Sequence, residues 1–506
     1  MYLKNTLGYL AVFLLISGVL SLLPVGVALY YAEDFIPLLL AALLSCLSGL
    51  LLLKKFKLED LDFGEAMFLG ALSFIVISLF GAIPFFMSLN GPLLERTVNS
   101  YFESVSGYTT TGLSIFPLAC FRPTFKNYHS FIFRRTFSEW VGGLGVIILF
   151  LSILARGGHS TVYLYKLGEG AKRITPSVEH TARIIIRVYL FYTFIGAITL
   201  WIFSEDLFHS LTGIMSTLST GGFIFLDQGF TTLLQLHPEL MDLLALFMLI
   251  GAIPFTLHYF FFGGKLKKFF HNLEVTSLLW FLSLFTLLFI LLGWLEIPFA
   301  SGGIQLVHNS VIMVISALTT TGHPLPFTAM SDLEKFLLLI LVLVGAGAGS
   351  TAGGIKLIRV AILSKAVPWL TRKSSLPETA ILPLKIKEKV FEEKELREIA
   401  LFFFIYLVLV MFSCFVLLIY NQPLGNALLL SASAQGTSSV APIDVRTLPV
   451  LAKIVLIFQM IAGRLEIFPI LALIGYLFGG AKKKNRGVKR EELNRRLRIL
   501  RKLRRV

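Results

Sequence analysis

Ten stretches of this chain are apolar over the length, roughly 20 residues, that a helix needs to cross a hydrocarbon core. They cover 7–31, 35–53, 65–88, 130–155, 180–204, 239–263, 273–296, 334–364, 397–420 and 450–478. Only helices and closed barrels satisfy every backbone group in lipid, and apolar runs this long predict helices. The expectation is an all-α polytopic membrane protein. Composition leads to the same place: 56% of the 506 residues are apolar and 15% charged, against about 25% charged in a soluble protein. Soluble domains cannot hide so much apolar surface. An ordinary soluble enzyme, a secreted disulfide scaffold and a disordered chain are therefore excluded. The first stretch runs on into the second without a small-residue cleavage site, so it reads as retained helix and not as a signal peptide.

Lysine and arginine set the orientation. Lys54, Lys55 and Lys57 follow the second stretch, and Arg156, Lys166, Lys172, Arg173 and Arg183 follow the start of the connection after the fourth. Lys265, Lys267 and Lys268 follow the sixth, and the long connection Lys365–Arg397 follows the eighth. The tail 481–506 alone carries +11 of the net +15. The alternate connections are poorer in lysine and arginine and include Glu33, Asp34, Glu205, Asp206, Asp227, Asp332 and Asp444. The basic side is the cytoplasmic one, and both termini lie on it. A basic tail can also suggest nucleic acid, but beside a bilayer anionic lipid or an acidic partner is the simpler occupant. Membrane lipids are expected as partners and nucleic acid is not. Cys46, Cys120 and Cys414 are far apart and the nine histidines are scattered. Neither set has disulfide or metal-ligand spacing, so neither a bound metal nor a cofactor is expected.

After the first two stretches, four externally connected pairs remain. Each connection contains an apolar segment too short to cross a bilayer: about 97–108, 207–218, 305–318 and 424–435. Such a half-helix can enter and return only where protein or a water-filled cavity satisfies its backbone. The predicted organisation is a helix pair (1–57), four span–half-helix–loop–span repeats (58–165, 166–268, 269–372 and 373–480) around one central pore, and a basic tail (481–506).

A related string follows each half-helix. The strings are Ser106-Gly-Tyr-Thr109-Thr110-Thr111-Gly112, Ser216-Thr-Leu-Ser219-Thr220-Gly221-Gly222, Ser316-Ala-Leu-Thr319-Thr320-Thr321-Gly322 and Ser433-Ala-Gln-Gly436-Thr437-Ser438-Ser439. Serine fills column one and threonine column five in all four. Small polar residues also let membrane helices pack closely, but recurrence at one place in four repeats points to a filter. Four loops around one axis can replace an ion's hydration shell with carbonyl oxygens, and glycine permits positive φ where a carbonyl must turn. Uncharged hydroxyls suit a monovalent cation, whereas a divalent-selective pore would more naturally carry a ring of carboxylates.

These loops resemble those of the Trk/Ktr/HKT superfamily of potassium and sodium transporters, and the two extra N-terminal stretches favour its TrkH branch. Trp140-Val-Gly142-Gly143-Leu-Gly145 resembles the family's Trp-x-Gly-Gly-x-Gly. Gly349-Ser350-Thr351-Ala-Gly353-Gly354-Ile-Lys356 resembles its third-repeat intramembrane loop, and Gly463-Arg464-Leu-Glu466 its last-helix string. The resemblance covers nearly the whole chain. It implies potassium uptake at the cell (inner) membrane by a homodimer with one pore per subunit. It also implies control by a cytosolic nucleotide-binding ring of TrkA type, with the nucleotide on that partner. The broad basic face at 156–179, 264–272, 365–396 and the tail is the expected docking surface.

The stretch 334–364 is overlong and interrupted by Gly345, Gly347, Gly349, Gly353 and Gly354. Gly347-x-Gly349-x-x-Ala352 mimics a dinucleotide fingerprint, but no strand precedes it and no acid follows at the needed distance. Close packing through small residues is one reading. The other, favoured by the resemblance, is an unwound gate below the filter comprising Gly345, Gly347, Gly349, Ser350, Thr351, Gly353, Gly354 and Lys356. Arg464 lies deep in the last stretch. It is expected to contact this loop and repel cations, or else to pair with Glu466, although residues two apart face different ways on a helix. Glu139 is assigned to packing or registry, with no role in permeation.

Ser439 departs from the pattern, standing where the other loops have glycine. Either it carries a left-handed backbone, at roughly 1–2 kcal/mol, or the fourth loop takes another course. Sodium permeation, or weak potassium preference, is therefore the alternative within transport. An ion-coupled symporter would need more titratable residues at mid-membrane. A membrane-embedded enzyme is the alternative of a different class; no nucleophile–base pair or metal cluster supports it.

Overall fold

The computed structural model describes residues 2–59, 61, 63–116, 127–155, 178–223, 238–296, 303–323, 330–377, 382–387 and 389–478. The basic tail, residues 156–177 of the docking surface, Cys120 and Asp227 lie outside them.

The chain is a multi-pass bundle. Among the described residues, six helices are long and apolar enough to cross a membrane, and two sharply bent helix pairs raise the number to as many as eight. The first hairpin pairs α1 (Tyr2–Leu20) and α2 (Leu22–Tyr30) with α3 (Ile36–Lys55). The first two run together as one apolar span, Lys4–Tyr30. Small residues bring α1 and α3 close: a Cβ on Gly49 would fall 2.9 Å from the Ala11 carbonyl oxygen.

Next come α4 (Phe63–Gly81), α5 (Ile83–Ser88), α6 (Leu93–Tyr108) and α7 (Tyr128–Ala155). The set α8 (Val178–Ser204), α9 (Leu207–Leu218), α10 (Pro238–Ala252) and α11 (Phe255–Phe262) follows, with a short α12 (Leu266–Phe270) after it. Then come α13 (Leu273–Glu296), α14 (Gly303–Leu318), α15 (Asp332–Val344) and α16 (Leu357–Ser374). The last set is α17 (Glu393–Ile419), α18 (Leu424–Gly436), α19 (Val450–Arg464) and α20 (Phe468–Phe478). The helices α6, α9, α14 and α18 are 16, 12, 16 and 13 residues long, each too short to span at 1.5 Å per residue.

Three stretches expected to be continuous or merely interrupted are broken. Between α10 and α11 the axis turns by 104° at Pro254, which has no N–H to give the ladder. Between α19 and α20 it turns by 112°; Glu466 and Ile467, both non-glycine, sit there at φ 55° and 64°. Between α15 and α16, residues 345–356 leave helix altogether, starting at Gly345 with φ 66°. The first and third of these breaks satisfy one another. Gly347 N–H donates to Ala252 O (3.1 Å), Thr351 N–H to Gly251 O (3.1 Å) and Phe255 N–H to Gly349 O (3.2 Å). Irregular backbone at membrane depth thus finds protein partners.

Among the described residues, one element lies outside the all-α expectation. Strands β1 (Leu384–Ile386) and β2 (Lys389–Phe391) pair antiparallel, Leu384 opposite Phe391. Leu384, Ile386 and Phe391 are buried with Ile358, Ile362 and Ile399, so the hairpin packs beneath α16 and α17.

Candidate ion filter and gate

The short helices α6, α9, α14 and α18 end in the same backbone turn. The column-five N–H donates to the column-two carbonyl: Thr110 to Gly107 (2.9 Å), Thr220 to Thr217 (3.0 Å), Thr320 to Ala317 (3.1 Å) and Thr437 to Ala434 (3.4 Å). The column-six N–H donates to the column-one carbonyl in three loops: Thr111 to Ser106, Gly221 to Ser216 and Ser438 to Ser433, at 2.8–2.9 Å. In the third, Gly322 at column seven bonds Ser316 at 3.1 Å. In the first, second and fourth loops this pair of hydrogen bonds is the Schellman cap, which needs a left-handed residue. That residue is threonine every time: φ is 53° at Thr110, 52° at Thr220, 60° at Thr320 and 50° at Thr437. A β-branched side chain there is an outlier, costing about 1–3 kcal/mol. The sequence patterns put positive φ at the glycines and missed these threonines.

Column seven holds a second left-handed set, with Gly112, Gly222 and Gly322 at φ 74°, 88° and 75°. Ser439 keeps out of that region, so the fourth loop takes its own course. The four loops meet. A Cβ on Gly112 would fall 2.2 Å from Gly221 O, one on Gly222 2.0 Å from Thr321 O, and one on Gly322 2.6 Å from Ser439 Oγ. Thr109, Thr110, Thr111, Ser219, Thr220, Thr319, Thr320, Thr321, Gly436, Thr437 and Ser438 are all buried.

Three of the four column-one serines share one contact. Ser216 Oγ donates to Phe223 O (3.3 Å), Ser316 Oγ to His323 O (2.6 Å) and Ser433 Oγ to Ser438 O (2.5 Å). Each of these three hydroxyls ties its helix to the outgoing leg of its own loop, whereas Ser106 Oγ in the first loop makes no such bond. Gly142 and Gly463 serve close approach: a Cβ would lie 2.0 Å from Tyr108 O and 1.8 Å from Gln435 O, respectively. The helices α7 and α19 therefore pass directly against the ends of α6 and α18.

Below the loops lies residues 345–356. Gly353 N–H donates to Thr320 Oγ1 at 2.8 Å, joining this segment to the third loop. Thr351 Oγ1 lies within donating distance of two carbonyls, Gly251 O (2.8 Å) and Leu218 O (3.0 Å), and Ser350 Oγ donates to Gly347 O (2.6 Å). Gly349 and Gly354 are left-handed, as is Lys356 at φ 83°, whose ammonium donates to Ala352 O. Ala348 N–H donates to Glu274 Oε2 at 2.7 Å. Arg464 Nη1 donates to Thr351 O (2.6 Å) and Nη2 to Gly142 O (3.1 Å). Glu466 pairs with Arg359, not with Arg464, and the Arg359 guanidinium lies 3.9 Å over the Phe402 ring.

Two buried carboxylates support the loops from behind. Glu103 accepts from Arg135 Nε (2.7 Å) and Ile115 N–H (3.0 Å). Glu139 accepts from Phe223 N–H at 3.0 Å, on the residue that follows Gly222. The signal for Glu139 was a charge within a mostly apolar stretch, which marks a functional position; Glu103 lies among polar residues of α6 and gave no such signal, and the partners of both were not legible.

The sequence model of the TrkH family, described as a cation transport protein, matches residues 45–477. The chain belongs to this family. It is 28% identical over 471 residues to an uncharacterized cation transporter of Methanocaldococcus jannaschii, covering 92% of this chain and 93% of that one. It is 27% identical to the Trk system potassium uptake protein TrkH of Escherichia coli, covering 82% and 86%. The crystal structure of the potassium transporter TrkH from Vibrio parahaemolyticus superposes with a TM-score of 0.81 at 24% identity, covering 94% of this chain and 100% of that one. The TrkH-type fold follows from that likeness, and the relatives are transporters, not enzymes.

Proposed function

We propose that this chain takes up potassium through a channel-like pore, with the four Thr/Ser–Gly loops as the filter and 345–356 with Arg464 as the gate. The observation that carries the reading is the fourfold left-handed threonine at the ends of four converging short helices. Strain repeated at equivalent places marks a site whose backbone must be held in one form. Carbonyls and hydroxyls of such loops are the ligands a dehydrated monovalent cation requires. The names of the Trk potassium uptake relatives support potassium as the ion. Residues 58–165, 166–268, 269–372 and 373–480 are then four repeats around one pore.

Arg464 suits a barrier: its guanidinium is buried where three breaks meet, and it donates to carbonyls on either side. The subunit would work as a homodimer in the inner membrane, termini inward. A nucleotide-binding ring would dock on the exposed Lys265, Lys267 and Lys268, the 365–396 connection and the tail. Weak selection against sodium is the second reading, favoured by Ser439, which lacks the left-handed backbone of its three counterparts. Purified protein in liposomes, assayed under potassium, sodium and proton gradients, tests both. Uptake of neither cation overturns the proposal, and sodium flux equal to potassium favours the second reading.

A further inference from the structure

Phe223 leaves the second loop directly after Gly222 and is held from two sides. Its N–H donates to Glu139 Oε1 (3.0 Å), and its ring lies 3.9 Å beneath the Arg135 guanidinium. Arg135 in turn bonds Glu103, whose carboxylate also receives Ile115 N–H and Ser114 Oγ (3.0 Å each) from the outgoing leg of the first loop. The side chains of Glu103, Arg135 and Glu139 are buried. The result is a continuous strap, Glu103–Arg135–Phe223–Glu139, across the backs of two loops.

Glu139 is also in hard contact with the loop itself. A Cβ on Gly221 would stand 2.3 Å from its Cδ, so the carboxyl group fills the space that any side chain at column six would need. In the first loop that column is Thr111, whose hydroxyl pairs with Thr109 Oγ1 at 2.8 Å; in the third, Thr321 pairs with Thr319 at 2.9 Å. The second loop has no such hydroxyl pair, because Gly221 has no side chain. Its support comes from α7 instead.

We infer that Glu139 is a positioning residue for selectivity: its carboxylate oxygen, as acceptor for Phe223 N–H, fixes the backbone of the second loop at the ion site. The inference rests on the filter reading above. An acceptor at that point is needed, but a charge is not. Glu139→Gln keeps an oxygen of the same reach and should leave the potassium-to-sodium ratio unchanged. Glu139→Leu removes the acceptor at similar volume, and Glu139→Asp keeps the charge but draws the acceptor back by one methylene. Both should lower the ratio about threefold or more.

The test is competitive potassium and sodium flux in liposomes on the full chain and these variants, with inserted protein quantified. If Glu139→Leu does not fold, the Asp and Gln variants decide alone. A lowered ratio in Asp with a retained ratio in Gln is expected. Equal ratios in Asp, Gln and parent overturn the inference while leaving the filter reading standing. A ratio lowered equally in Asp and Gln also overturns it. A parent that carries no monovalent cation overturns the filter reading and this inference together.

Discussion

The Ser439 hydroxyl donates a 2.7 Å hydrogen bond to the Thr321 carbonyl of the neighbouring loop. The serine that replaces the fourth glycine thus engages a backbone oxygen of the third loop, and does so without a left-handed backbone. A carbonyl oxygen has two lone pairs, and this one has committed one of them to protein.

Ser439→Gly should free that oxygen and let the fourth loop follow the other three. The potassium-to-sodium ratio should rise, and a difference of about 1.4 kcal/mol between the ions would make the change tenfold. Ser439→Ala removes only the hydroxyl and separates the two effects. Reversal potentials of the three proteins measure both. An identical ratio in all three would make the serine structurally silent.

Arg464→Ala should raise basal cation flux in the absence of any regulatory protein. It removes a buried charge and the bonds to Thr351 and Gly142 carbonyls together. Flux into liposomes from a well-folded variant is the measurement. Unchanged flux would show that the charge is no barrier.

The Arg359–Glu466 pair is buried on both sides, so breaking it should be severe. Glu466→Gln leaves the guanidinium with no counter-charge at this contact, at about 3–5 kcal/mol. Replacing both residues by apolar ones of similar volume should cost much less. The thermal midpoints of the two variants in detergent decide, and the single variant should melt lower.

Asp206 caps α9, accepting from His209 N–H at 3.0 Å. Burial works to raise its carboxyl pKa, but the bonds from the His209 backbone and ring outweigh it and hold the group below its ordinary value. A lowered carboxylate stabilises fully above the unfolded value of about 3.9 and loses that contribution as pH falls through the lowered one. Asp206→Ala should therefore cost about 1 kcal/mol near neutrality, with the gap to the parent closing towards pH 3. The side chain is half exposed, so solvent screens the ionic part. Denaturant midpoints of parent and variant at both pH values check the trend.

Deleting 481–506 and neutralising Lys265, Lys267 and Lys268 should weaken binding of a cytosolic ring protein without changing the fold. A pull-down at two salt concentrations would measure it. Unaltered binding would place the docking surface elsewhere.

Much of the architecture could be read from local pattern, because the membrane demands it. An apolar run of some 20 residues has few forms in lipid, and a run of a dozen cannot cross. The short apolar segment read at 207–218 is the helix Leu207–Leu218. The bend between α10 and α11 could also have been read, from Pro254. The αL threonines could not. Nothing about Thr110, Thr220, Thr320 or Thr437 favours positive φ; only the capped helix ends and the crowding of four loops hold them there. The break at Glu466 and Ile467 likewise has no local cause, since neither residue favours a left-handed turn. It exists beside a glutamate paired across to Arg359, 107 positions away. Glu139 makes the same point from the side chain: composition marks it as a buried charge, and only the tertiary structure supplies Phe223. Hydrophobic pattern determines where the chain must cross, because that requirement is met residue by residue. Long-range hydrogen bonds and close packing decide where it bends and what each buried polar group serves, because those partners are far apart along the chain.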